Sequence, residues 1–353
     1  MNLQSGKQGF YPRPYSRMPW TAPRISPGAA IRAVVGHRPY RAQGFRVERE
    51  TYDSKTVVHN YGHGGGGISL GWGSSGLAVK QVNDLSPGKV AVLGSGIMGL
   101  CTARLLQDAG WQVCVYTRDS YQHSTSNVAG GQWSPASTHD PDLVNEGFLS
   151  SLDVAARISH HAYASLPAAK YGITWLENYQ LQRQPFTDFK RPSYDDVFAY
   201  SASLKPGEHP FADTYVHRNV TMLINPGIML RQLTTDLLVA GGTIKNRSFE
   251  SLDEVLALPE HTVFNCTGLG AAKLFGDKQL VPVKGQLLFL PPDPAVDYMT
   301  VGPGPGLLYM FPRSDVTVLG GTYKKNDDST HVETEENARI IASHAALFSG
   351  FTV

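Results

Sequence analysis

The most regular pattern of apolar and polar positions lies between Lys89 and Thr117. Lys89-Val90-Ala91-Val92-Leu93 is a short, continuously apolar run and predicts a buried strand. Ile97 to Ala109 has helix-forming composition and stops at Gly110, and Gln112-Val113-Cys114-Val115-Tyr116-Thr117 is β-rich. Strand, helix and parallel strand thus follow within about 30 residues, the length of one βαβ unit. Farther on, Met229 to Val239 predicts an amphipathic helix ending at Gly241-Gly242, with strands at Thr243–Asn246 and Thr262–Cys266. The second strand runs into Thr267-Gly268-Leu269-Gly270. Residues 146–224 are rich in aromatics and proline, with β-type runs at Val197–Ser201 and Val220–Ile224. Three more strand-like runs, Gln286–Leu290, Leu307–Phe311 and Val316–Leu319, are split by Gly302-Pro303-Gly304-Pro305-Gly306. Glu333 to Phe348 predicts a last helix.

Composition narrows this picture. At 353 residues the chain can bury a large core, and 41% apolar against 17% charged residues suits a loop-rich globular enzyme. A formal charge of +1 supplies no field that favours nucleic acid or an acidic membrane surface. No apolar run approaches the roughly 20 residues of a membrane span. Cys101, Cys114 and Cys266 lie inside apolar runs, where cysteine acts as a small buried hydrophobe. The first 26 residues carry Lys7, Arg13, Arg17 and Arg24 and no acid, as targeting peptides do, but five prolines from Pro12 to Pro27 oppose an amphipathic helix. An irregular arm packed on the surface is expected for residues 1–26.

The turn between the first strand and its helix is Gly94-Ser95-Gly96-Ile97-Met98-Gly99. Glycines there let the backbone turn tightly and approach a pyrophosphate at the helix N-terminus. The acid that normally ends the second strand is missing: Arg118 follows Thr117, and Asp119 comes two positions late. Arg118 on a 2′-phosphate would make this an NADP site; lying along the adenosine half of another dinucleotide is the plainer alternative. A second glycine-rich segment runs His59-Asn60-Tyr61-Gly62-His63-Gly64-Gly65-Gly66-Gly67-Ile68-Ser69-Leu70 and precedes a predicted helix reaching Val79. Its amides suit an electron-rich ligand such as the pyrimidine edge of a reduced flavin, or a second phosphate. His59 and His63 have no clustered acid or thiol, so no metal is expected.

The segments Arg38-Pro39-Tyr40-Arg41 and His59 to Trp72 resemble those of the D-amino-acid oxidase family. So do Thr125-Ser126-Asn127-Val128-Ala129-Gly130-Gly131-Gln132-Trp133-Ser134-Pro135, Asn265-Cys266-Thr267-Gly268, Pro282-Val283-Lys284-Gly285-Gln286 and Leu319-Gly320-Gly321-Thr322. The resemblance implies an α/β fold: a Rossmann-like FAD-binding domain interleaved with an α+β substrate domain. On that pattern residues 27–145 and 225–285 form the FAD-binding domain, residues 146–224 and 286–333 the substrate domain, and residues 334–353 a terminal helix. In the family the glycine turn opens the chain and the RPxR and HNYGHGG segments close it. Here those segments come first, so the order looks circularly permuted, which places the helix 333–348 near residues 28–33.

By resemblance, Arg38 pairs with the α-carboxylate of the substrate and Tyr309 hydrogen-bonds it. Gly94, Gly96, Ile97, Met98 and Gly99 take the FAD pyrophosphate, Arg118 and Phe249 the adenosine side, and Ser124, Thr125 and Ser126 further phosphate or ribose oxygens. Gly130, Gly131 and Gln132 approach the isoalloxazine, as do Gly64, Gly65, Gly67, Ile68 and Ser69. The implied chemistry is oxidative deamination of a D-amino acid, with hydride passing from Cα to the flavin and O₂ as acceptor. No side-chain base is needed for it. D-aspartate oxidases carry an arginine close to the place of Tyr323, so neutral D-amino acids are the expected substrates. The alternatives are a glycine- or sarcosine-type amine oxidase, a D-aspartate oxidase, or a flavin-binding protein altered in catalysis. D-amino acid and O₂ are the expected partners, nucleic acid and membrane are not, and a homodimer stays open. The ending Phe351-Thr352-Val353 is not the peroxisomal tripeptide, and a cytoplasmic location is expected.

Overall fold

The computed structural model describes residues 20–53, 55–186, 192–212, 214–304 and 306–351; most of the expected N-terminal arm, residues 1–19, lies outside them. The chain runs through β1 (Arg32–Arg41), β2 (Arg46–Tyr52), β3 (Lys55–Tyr61), α1 (Gly67–Lys80), β4 (Lys89–Leu93), α2 (Ile97–Asp108) and β5 (Gln112–Thr117). Next come α3 (Glu146–Ser165), α4 (Ala168–Tyr171), β6 (Ile173–Gln182), β7 (Ala199–Leu204), β8 (Tyr215–Ile224), α5 (Pro226–Val239), β9 (Thr243–Asn246), α6 (Leu252–Leu256) and β10 (Thr262–Asn265). The last part holds α7 (Gly270–Phe275), β11 (Leu280–Leu290), β12 (Tyr298–Val301), β13 (Tyr309–Pro312), β14 (Thr317–Gly320), β15 (Lys324–Lys325) and α8 (Thr334–Ser349).

These strands form two sheets. The six-stranded sheet has the order β2-β3-β10-β4-β5-β9, parallel throughout except for the antiparallel edge strand β2. Val90, Ala91, Val92 and Leu93 are wholly buried at its centre, as a parallel strand covered on both faces requires. The nine-stranded sheet has the order β1-β11-β14-β13-β12-β6-β8-β7, with β15 also paired to β11. β1 therefore leaves the stretch 27–145 that its place in the chain suggested and joins the other sheet, antiparallel to β11 from Arg32 opposite Phe289 to Arg41 opposite Leu280. α8 lies against β11 and β14, and its Ile340, Ile341 and Phe348 share a core cluster with Ala29, Ala30 and Ala33.

Two helices, α3 and the one-turn α4, interrupt the β-type runs expected for residues 146–224. The first 20 residues of that stretch form α3, capped by the Asn145 side chain, which accepts from Phe148 N at 2.9 Å. Leu152, Ala155, Ala156, Ser159 and Tyr163 make a buried stripe at helical spacing, hidden from a composition count by its small residues. That stripe packs on α1 so closely that a Cβ on Gly73 would stand 1.8 Å from the Ala155 carbonyl oxygen. Gly76, on the same helix, has its nearest neighbour at 3.8 Å. Gly73→Ala should lower the unfolding free energy in urea by about 2–3 kcal/mol through overpacking. Gly76→Ala should leave it unchanged or raise it by up to about 1 kcal/mol, the helix-propensity gain.

Candidate active site

The glycine turn sits at the C-terminal edge of the six-stranded sheet, between β4 and α2. Gly94 has φ +105, and a Cβ on Gly99 would lie 1.9 Å from the Gly94 carbonyl oxygen. Backbone meets backbone there, and the glycines leave room for a ligand to approach the start of α2. Of the three expected hydroxyls only Ser126 faces this turn, its Oγ accepting from Ile97 N at 3.1 Å. Ser124 donates to the Tyr121 carbonyl and Thr125 to that of His37. Arg118 is exposed and ion-paired to Asp119 at 2.7 Å, while Asn246 on β9 donates to its carbonyl. Phe249 lies half-buried beside Tyr116, with the Arg247 guanidinium 4.7 Å above its ring.

The second glycine segment folds as a 3₁₀ turn over Gly64–Gly66 that leads into α1. Gly65 N donates to the Ser137 carbonyl and Gly66 N to that of His63, so part of the expected amide array is spent on the protein itself. Ser69 binds the 132–134 segment twice: its Oγ donates to the Gln132 carbonyl at 3.3 Å and accepts from Ser134 N at 2.8 Å. From behind, Ser159 and Tyr163 of α3 donate to the carbonyls of Ser69 and Ile68. Gly67 approaches Met98 of α2, with 3.9 Å from its Cβ position to the Met98 methyl. The structure thus brings Gly64–Ser69, Gly94–Gly99 and Ser126–Gln132 to one place, with Phe249 and Arg118 at its far end.

On the nine-stranded sheet, Arg38 and Tyr309 meet. The Arg38 guanidinium lies flat over Gly285 on the neighbouring strand, donates to the Thr322 carbonyl at 3.2 Å and stands 5.7 Å from the Tyr323 ring centre. Its charge acts on the neighbouring Tyr309 hydroxyl. Tyr309 covers Gly320, stacks on Phe311 at 4.6 Å, and comes within 3.4 Å of the Cβ position of Gly130. Burial raises the Tyr309 hydroxyl pKa above 10 and the Arg38 charge opposes the rise, so Tyr309 stays a neutral donor beside a cation. A fork of donors plus a phenol matches a carboxylate.

A family model for FAD dependent oxidoreductases matches residues 89–352. The chain belongs to the FAD-dependent oxidoreductase family. It is 31% identical over 274 residues to a D-amino-acid oxidase of Streptomyces coelicolor, covering 76% of this chain and 80% of that one. It is 26% identical to a human D-aspartate oxidase, covering 73% and 75%. Its fold is similar to that of glycine oxidase from Bacillus cereus, with a TM-score of 0.56 at 15% identity over 74% and 77% of the two chains. FAD is the cofactor, and the side-chain-free backbone at Gly94 and Gly99 fits its pyrophosphate.

Several groups of this FAD-dependent oxidoreductase drew no notice in the sequence. Asn178 of β6 accepts from Gln132 Nε2 at 2.8 Å and donates to Asn219 of β8, tying the predicted flavin-facing glutamine to the nine-stranded sheet. Arg313 holds Asp315 through two bonds and donates to the Ala129 carbonyl at 3.2 Å, one residue before Gly130. Both are single polar residues in otherwise ordinary strands and loops, and no spacing pattern marks them. His59 lies wholly buried between Glu50 and Asn265, at 3.0 Å from each. His63 stacks on Phe45 with ring centres 4.8 Å apart. Among the described residues no helix is long and apolar enough to cross a membrane.

Burial alone pushes the His63 pKa from 6.5 down to about 3, and burial, with a smaller contribution from His161, pushes His160 to about 4. The unfolded chain therefore binds more protons than the folded one below pH 6.5, and stability falls as the pH drops through that window. Urea midpoints should decline steadily from pH 6.5 toward pH 3. His63→Gln should flatten part of that slope, although lost stacking lowers its midpoint at pH 8. An unchanged slope in His63→Gln would contradict the assignment.

Proposed function

We propose that this protein oxidises neutral D-amino acids to 2-oxo acids, with water and O₂ consumed and ammonia and H₂O₂ released. The observation that carries this is the meeting of Arg38, Tyr309 and Tyr323 beside Gly130. Arg38 binds and orients the substrate carboxylate with two parallel N–H donors, and Tyr309 donates a third bond from a site that burial keeps neutral. FAD, when bound, supplies the two-electron acceptor for the substrate Cα–H bond. Gly94, Gly96, Ile97, Met98 and Gly99 hold its pyrophosphate with Ser126, and Arg118 and Phe249 flank the adenosine. Gly130, Gly131, Gln132, Gly64, Gly65, Gly67, Ile68 and Ser69 line the flavin end. Tyr323, packed between Arg38 and Tyr40, offers no cation to a side-chain carboxylate. That supports neutral side chains.

Peroxide release across a panel of D- and L-amino acids tests this directly. D-alanine and D-phenylalanine should be turned over, their L-enantiomers should not, and D-aspartate should be poor. Arg38→Leu should raise the KM for D-alanine by about 100-fold or more, the loss of a charge-assisted bidentate pair. Arg38→Lys should recover only part of this, because an ammonium lacks the planar fork. Turnover confined to glycine or sarcosine, or dominated by D-aspartate, would overturn the substrate assignment.

We also infer that the chain order is circularly permuted relative to the family. The match over residues 89–352, which leaves residues 28–88 ahead of the glycine strand, supports this, as does the shared packing of α8 with residues 22–33. Trp20 and Phe351 have ring centres only 6.4 Å apart. A gene that joins residue 351 to residue 20 by a short glycine-serine linker and opens between α1 and β4 should therefore yield a folded, yellow protein. An insoluble or colourless product would speak against the permutation.

A further inference from the structure

The end of the chain reaches the substrate side of the molecule through one buried side chain. His344, on α8, is 0% exposed, with Nδ1 2.9 Å from the Ile340 carbonyl oxygen and Nε2 3.0 Å from that of Tyr309. Both neighbours are acceptors, and a neutral imidazole carries one N–H. Ile340 stands four residues back on the same helix, so its carbonyl already accepts the His344 backbone N–H in the regular ladder. The imidazole proton is therefore better used on Tyr309. Burial keeps the ring on the neutral side by lowering its pKa from 6.5, with the two carbonyls opposing that shift.

Tyr309 is the first residue of β13, separated by two residues from the Gly- and Pro-rich stretch Gly302 to Gly306. Its ring has little freedom to compensate for a backbone shift, being held over Gly320 and against Phe311 and Gly130. A displacement of the backbone at 309 is passed straight to the phenol hydroxyl beside Arg38. α8 is fixed in turn: Gln286 of β11 donates to the Glu333 carbonyl and to Asn337, and Arg339 donates to the Gly321 carbonyl. His344 is thus the point where a rigidly docked helix grips the strand that carries the tyrosine.

We propose that His344 is a positioning residue, holding the start of β13 through the Tyr309 carbonyl so that the Tyr309 hydroxyl and Arg38 present one carboxylate site. This rests on the assignment of Arg38 and Tyr309 to the substrate carboxylate. His344 touches neither substrate nor cofactor, so its effect falls on carboxylate affinity and not on turnover or FAD retention.

The test uses the FAD-loaded protein and the monocarboxylate benzoate, followed by the change in flavin absorbance. His344→Leu keeps much of the volume and removes the donor; His344→Gln keeps an N–H of similar reach. His344→Leu should raise the benzoate Kd and the D-alanine KM by about 10-fold, with kcat and the FAD Kd within about twofold of the parent. His344→Gln should restore benzoate binding to within about threefold. Equal losses in both variants, tracking their thermal midpoints, would reduce His344 to a packing residue and overturn the proposal, as would a His344→Leu protein that binds benzoate normally. Should His344→Leu not fold, ¹⁵N-histidine spectra of the parent carry the test, with His344 assigned by its absence in His344→Gln. Saturating benzoate should move that signal, and an unmoved signal overturns the proposal. A parent protein that binds no benzoate overturns the carboxylate site itself, and the proposal with it.

Discussion

The ten-residue antiparallel ladder between β1 and β11 is the constraint on which the site depends, because it joins the early part of the chain to the late part and seats Arg38. Arg38 faces Val283, and its guanidinium crosses to Gly285, where a side chain would collide with it at 2.5 Å. From there it donates to the Thr322 carbonyl, and its charge acts on the Tyr309 hydroxyl. Three carriers of the proposed carboxylate site, β1, β13 and the segment after β14, are brought together by strands that all lead to β11. β1 continues at once into β2 and β3 of the other sheet, so the same ladder also sets how the two sheets lie at the site. A long hydrogen-bonded register is a stiff way to hold a charged side chain whose direction matters more than its mere presence.

The cofactor side is organised by contacts that leave side chains out. Where α2 meets the glycine turn, backbone packs on backbone. Where α1 meets the 132–134 segment, one small residue, Ser69, both donates and accepts. α3 backs this arrangement with Ser159 and Tyr163, whose hydroxyls occupy the carbonyls of Ser69 and Ile68. Small residues at these places allow three chain segments that are far apart in sequence to meet. His59, buried in the same segment, is paired with Glu50 and Asn265.

Much of this was legible in advance, and local composition explains which elements were. β4, β5 and β9 have the bounds expected from their apolar or β-rich runs, because flanking glycine and polar residues end them sharply. β1 and β2 were invisible: RAVVGHRPYR and RVERETY are half-buried strands dotted with charge, and the partner that makes β1 a strand lies some 250 positions away. α3 was hidden because its buried stripe consists largely of Ala and Ser. In the site, the glycine turn declared itself through its strand–turn–helix context, yet Arg38 and Tyr309 were nameable only through family resemblance. Nothing local distinguishes them from an edge-strand arginine and a core tyrosine. Asn178 acts through the Gln132 and Asn219 side chains, and Arg313 and His344 through backbone carbonyls, partners that only the folded chain supplies.

The central claim is that electrons pass from a neutral D-amino acid to the FAD of this protein at a site built around Arg38 and Tyr309. Anaerobic mixing with D-alanine or L-alanine, followed by the visible absorbance of the flavin, measures that step without any acceptor. The account predicts full bleaching by the D-enantiomer and none by the L-enantiomer. An FAD-loaded protein that stays yellow with D-alanine, or that bleaches equally with both, would contradict it.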